Sequence, residues 1–202
     1  MMPLVRSALE GAGILAMSIA GAIVYGIAHD LITTRICLEY FTIGHPPVWG
    51  GTHDPTVLAF TWGVIATWWA GAIIGIPLAL AAQVGRLPRR SAASMVRPIV
   101  VLLCAMAAIA TAAGIVSFEW YRNPAGALLD PLTSGIPIQA QPAFMVDLWI
   151  HLASYGAGFF GGIVLIGWVL VRRYRAEVKR RLEARGLGDP VFAAIVSQGP
   201  RA

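Results

Sequence analysis

Apolar residues fall into four long blocks along the chain, at residues 8–28, 56–84, 98–118 and 143–171, and polar residues gather between them. About 20 residues of helix cross the hydrocarbon core of a bilayer. Helices also satisfy their own backbone groups, as lipid requires. The pattern therefore predicts an all-α integral membrane protein, an antiparallel four-transmembrane-helix bundle spanning residues 1–171. Two long external loops, 29–55 and 119–142, and a basic cytoplasmic tail, 172–202, complete it. The first block follows Arg6 and contains small residues, as a secretory signal does. Its apolar run exceeds the roughly 7–15 residues of such a signal, so it reads as a span.

Small residues at four-residue spacing mark where membrane helices approach closely. The second block carries Gly63, Thr67, Gly71 and Gly75 in one row, and the first carries Ala8, Ala12, Ala16 and Ala20. The fourth has Ala153, Ala157 and Gly161 beside Ser154, Gly158 and Gly162. These rows fit a tight bundle and offer ridges to a second copy or to a membrane-complex partner. Pro77 should kink the second span near its far end. The segment LITTRICLEYF alternates apolar residues with Arg35 and Glu39, as a short helix lying on the membrane surface would.

Composition agrees with a lipid environment. Charged residues make up 12% of the chain and hydrophobic residues 57%, against about 25% charged in soluble domains. The charge is also lopsided. Thirteen of the 15 Lys and Arg residues lie before the first block, between the second and third, or after the fourth; only Arg35 and Arg122 lie elsewhere. By the positive-inside rule both termini are cytoplasmic and the segments 29–55 and 119–142 are external. The tail RRYRAEVKRRLEAR follows a span directly, so its partners are the bilayer and its anionic lipid headgroups, not nucleic acid. Trp49, Trp120, Trp149 and Trp168 fall near the two boundaries as an aromatic belt. Cys37 and Cys104 have no spacing that suggests a disulfide framework or a zinc ribbon.

With this topology every histidine lies toward the external side. His29 closes the first span, His45 and His53 lie in the first loop, and His151 sits eight residues into the fourth block. Glu119 ends the third span. Asp147 precedes His151 by one helical turn, so the two share a face. His29, Glu119, Asp147 and His151 are thus expected to converge beneath a loop holding Glu39, His45, His53 and Asp54. Imidazole with carboxylate is a ligand set for zinc, iron, manganese or copper. Haem, through His29 and His151, or a quinone is a further candidate for the same region. No motif of fixed metal-ligand spacing decides among them. A plainer account also fits: Asp147, Glu119 and His29 reach interfacial water, while Asp30 and Glu39 pair with Arg35.

The run HDLITTRICLEYFTIGHP, followed by WGVIATWWAGAIIGIPLALAA, resembles a group of uncharacterised bacterial four-helix membrane proteins over roughly the first 85 residues. The resemblance implies a bacterial inner-membrane location and carries no activity. Two functions remain open from the sequence. One is a membrane protein whose external His/carboxylate group binds a transition metal, or haem, for redox or proton chemistry. The other is a non-catalytic membrane subunit or assembly scaffold without a metal.

Overall fold

A computed structural model describes residues 3–122 and 131–185, and its regular elements are all helical. They are α1 (Pro3–Thr33), α2 (Leu38–Thr42), α3 (Pro55–Ile65), α4 (Trp68–Gln83), α5 (Ala93–Tyr121) and α6 (Gln141–Ala184). Short 3-10 turns, Pro131–Thr133 and Ile138–Ala140, precede α6. Four stretches are long and apolar enough to cross a membrane: Val5–Thr33, Pro55–Gln83, Ala93–Tyr121 and Ile138–Ala184. The second of these is α3 and α4 taken together.

Two close helix pairs build the molecule, α1 with α3–α4 and α5 with α6. The glycine row on the second span explains the first pair. A Cβ at Gly63 would lie 2.6 Å from the Ile27 backbone, one at Gly71 2.7 Å from the Ser18 carbonyl, and one at Gly75 2.8 Å from Ser18 Cβ. The contacts run in opposite chain directions, so the two spans are antiparallel. The face of α1 that meets this row is Gly11, Leu15, Ser18, Ala22 and Gly26. Ala8, Ala12, Ala16 and Ala20 are exposed on another face. In the second pair Gly158 receives Met106 and Gly161 receives Leu102. Gly162 faces Ile74 and Gly21 faces Leu103, which join the two pairs edge to edge.

The second span is interrupted ten residues before Pro77. α3 ends at Ile65, α4 begins at Trp68, and Pro77 sits inside an uninterrupted α4. Thr67 marks the break on the chain itself. Its hydroxyl donates back to the Gly63 carbonyl at 2.5 Å, and its N–H bonds Val64, three residues back, at 3.3 Å. Such back-bonding competes with the regular helical ladder. The Ala66 carbonyl accepts instead from the Tyr155 hydroxyl of α6, at 3.3 Å.

At the arginine-rich end a buried polar knot closes the structure. Arg173 is 1% exposed, so it does not share the headgroup role expected of the basic tail. It donates to the carbonyls of Val84, Leu87 and Pro88 at 2.9 Å each, and to that of Ala81. These are orphan acceptors in the last turn of α4 and in the segment that follows it. The Glu10 carboxylate accepts from the Ala92 N–H at 2.6 Å, capping α5 from α1. α6 itself continues unbroken to Ala184, a 44-residue helix, with Arg172 and Arg175 exposed on its surface.

Candidate functional site

α1 does not stop at the end of its apolar block. Nothing in HDLIT breaks a helix, and the Thr34 hydroxyl donates to the Asp30 carbonyl at 2.7 Å to close the last turn. Asp30 consequently continues the buried stripe of α1 one turn beyond Gly26. It faces α6, and its carboxylate Oδ1 lies 3.4 Å from His151 Nε2. On the other side of the same imidazole, Nδ1 lies 2.9 Å from the Asp147 carbonyl and 3.1 Å from Asp147 Oδ1. His151 therefore stands between two carboxylates brought from two helices.

His29 completes the group. Its ring meets that of His151 edge to face with centroids 4.7 Å apart, and its Nε2 is buried without a hydrogen-bond partner. Ligand atoms of His29, Asp30 and His151 all lie within 4.8 Å of one another. Asp147 is completely buried, and neither carboxylate oxygen has a well-directed hydrogen bond; His151 is the nearest donor.

The arrangement constrains the charge. If the His151 Nδ1–H donates to Asp147, Nε2 presents a lone pair to the Asp30 carboxylate. Two acceptors 3.4 Å apart in a buried site repel, so a proton or a metal cation belongs between them. A second proton on His151, a proton on Asp30 or a metal cation supplies it. A porphyrin does not fit this geometry, because His29 and His151 meet edge to face and His151 Nε2 already faces Asp30.

The segment after α1 forms the short helix α2 and folds over the group. Tyr40 stacks on His151 at 4.5 Å and Phe41, 2% exposed, meets it at 5.8 Å. His45 is one aromatic layer further out, with Nδ1 on the Tyr40 carbonyl at 2.8 Å and its ring 4.6 Å from Trp62. Burial raises the Tyr40 hydroxyl above the ordinary tyrosine range, and the nearby Asp147 carboxylate adds to this. Cys37 is buried beside it, and its thiol is pushed up to about 12, by burial first and then by Asp147 and Glu39.

The remaining expected ligands lie apart. Glu119 is exposed and pairs with Arg122 at 3.2 Å. Glu39 accepts from the Cys37 thiol at 3.6 Å, and His53 is exposed in the loop before α3. Asp54, in the same loop, caps α3 by accepting from the Thr56 and Val57 N–H groups. The pairing of Asp30 and Glu39 with Arg35 does not occur, since Arg35 donates to the Leu31 carbonyl and the Thr56 hydroxyl. Asp30 and Tyr40 are the residues that sequence reasoning left out of the group. For Asp30 the signal was present, as the next member of the small-residue stripe. The chain matches no protein-family model, no curated protein and no solved structure.

Proposed function

We propose that His29, Asp30 and His151 bind a transition-metal ion, with Asp147 orienting His151 through its other ring nitrogen. The protein that carries the site is read as a multi-pass bacterial inner-membrane bundle, with both termini cytoplasmic and the cluster on the external side. The observation that carries the proposal is the division of His151 between two buried carboxylates, with a third donor, His29, within 4.8 Å. Two imidazoles and one carboxylate suit iron(II) or zinc(II) and leave coordination positions open. A carboxylate on the far nitrogen of a ligating histidine fixes its tautomer. Tyr40 and Phe41 keep water off the imidazole, which strengthens each charge interaction inside.

Metal analysis of the detergent-purified full chain tests the proposal. We expect about one ion per chain after loading with iron(II) or zinc(II), lost in His151→Ala. Asp147→Asn should weaken binding by roughly 10–100-fold. Wild-type protein that takes up no ion under any loading condition would overturn the metal reading.

A second reading is supported by the same carboxylate–imidazole–carboxylate chain. Without a metal, Asp30, His151 and Asp147 form a chain of contacts of 3.1 and 3.4 Å along which a proton could pass if they shortened into hydrogen bonds. It predicts no bound ion, and proton movement in vesicles that Asp147→Asn stops.

A further inference from the structure

Directly beneath the cluster the four spans enclose a cavity of about 430 Å³. This lies within the roughly 300–1,000 Å³ of small-ligand sites. Most of its polar groups gather at one end, where His29, His151, Tyr25, Ser154, Tyr155 and Thr67 line the wall, while Ser18 lies further down and spends its hydrogen on the Ile14 carbonyl. Away from that end the walls are apolar down to Leu78, Ile99 and Leu165. Trp69 and Ile73 of α4 and Tyr155 and Phe159 of α6 line the cavity and are also exposed on the molecule's flank. That flank is the surface a bilayer would cover, so the cavity opens between α4 and α6 toward lipid.

The hydrogen-bond inventory at the polar end selects the ligand. The Tyr25 and Ser154 hydroxyls lie 2.7 Å apart and share one hydrogen bond, which uses one of their two hydrogens. The other has no acceptor among the described residues, so it is free to donate. Tyr155 and Thr67 spend their hydrogens on the Ala66 and Gly63 carbonyls, which leaves their oxygens free to accept. The wall can therefore meet a carbonyl oxygen and also a hydroxyl hydrogen. An anionic head is disfavoured, because no Lys or Arg lines the cavity.

We infer that this cavity binds a membrane-soluble quinone or its quinol, the ring at the Tyr25–Ser154 end and the tail leaving between α4 and α6. A quinone needs a donor for its carbonyl and a quinol an acceptor for its hydroxyl, and the wall offers both. The tail follows the apolar walls to an opening framed by aromatic side chains. The head would sit beside the proposed metal group, but the inference stands on the cavity and the hydroxyl pair.

The test titrates decylubiquinone, and separately its reduced form, into the detergent-purified full chain while following quenching of tryptophan fluorescence, since Trp69 is on the wall. Decanoate serves as an anionic head on a tail one carbon shorter. Saturable binding is expected for both redox forms, at least tenfold tighter than for decanoate. Removing both hydroxyls in Y25F/S154A should weaken quinone binding roughly tenfold, about 1.4 kcal/mol. Ala70→Phe, which fills the cavity, should abolish it. Should Ala70→Phe fail to fold, the hydroxyl variant, checked by its melting temperature, decides. Stripping metal with a chelator should leave the quinone affinity within about twofold, so failure of the metal reading is seen separately. No saturable quenching, equal affinity for decanoate, or unchanged affinity in folded Y25F/S154A would each overturn the inference.

Discussion

At the scale of single residues, burial controls what each side chain can do. Asp147 and His151 were legible in the sequence because a four-residue spacing on a helix fixes their relation whatever surrounds them. Glu119 was not, because its position at the end of α5 says nothing about how that helix is rotated, and it turns to Arg122 instead. Cys37 gives a prediction of its own. Its thiol rises from 9.0 to about 12 through burial. Folding therefore favours the protonated thiol. The resulting stability is complete below about pH 9 and is lost as pH climbs toward about 12. Maleimide should leave Cys37 unlabelled at about pH 8 in folded protein and label it readily once the chain is denatured in SDS. In the folded state the rate should rise about tenfold per pH unit, as the thiolate does. Rapid labelling of folded Cys37 at neutral pH would contradict this environment.

At the scale of elements, the four spans were legible because lipid imposes one length and one backbone solution on every crossing. The interruption of the second span was not. Proline is the residue that announces a break, yet Pro77 stays within α4 while Ala66 and Thr67 part α3 from it. The cause is tertiary: Gly26 packs against Thr67 and Gly63, and Tyr155 takes up the carbonyl released at Ala66. The glycine row of the second span is legible as a contact surface, whereas its partner row on α1 is not. Alanine spacing alone does not say which of two small-residue faces turns inward. Gly71→Leu should force α1 and α4 apart, because its Cβ alone would lie 2.7 Å from the Ser18 carbonyl. We expect a loss of about 1–3 kcal/mol, read as a lower melting temperature in detergent. Unchanged melting would mean that the two spans are not in contact there.

At the scale of the whole molecule, two buried polar knots hold the spans together, one around His151 and one around Arg173. The first was partly visible in advance; the second was hidden because Arg173 lies in a run of arginines that reads as a solvated tail. Its guanidinium reaches four carbonyls, a task for a planar fork of donors that an ammonium cannot repeat. Arg173→Lys should therefore cost about 2–3 kcal/mol despite keeping the charge, measured by thermal unfolding in detergent. A variant as stable as the wild type would show that these carbonyls find other partners. Both knots lie on α6, which is continuous between them. Twenty-two residues separate His151 from Arg173, about 33 Å at helical rise, against a hydrocarbon core of about 30 Å. In a bilayer the distance between the knots would then be matched against the thickness of the hydrocarbon core. In a thicker bilayer one knot must sink below the headgroups or the helices must tilt less; in a thinner one α6 must lean. Lipid chain length would then set how far the His/Asp cluster stands from water.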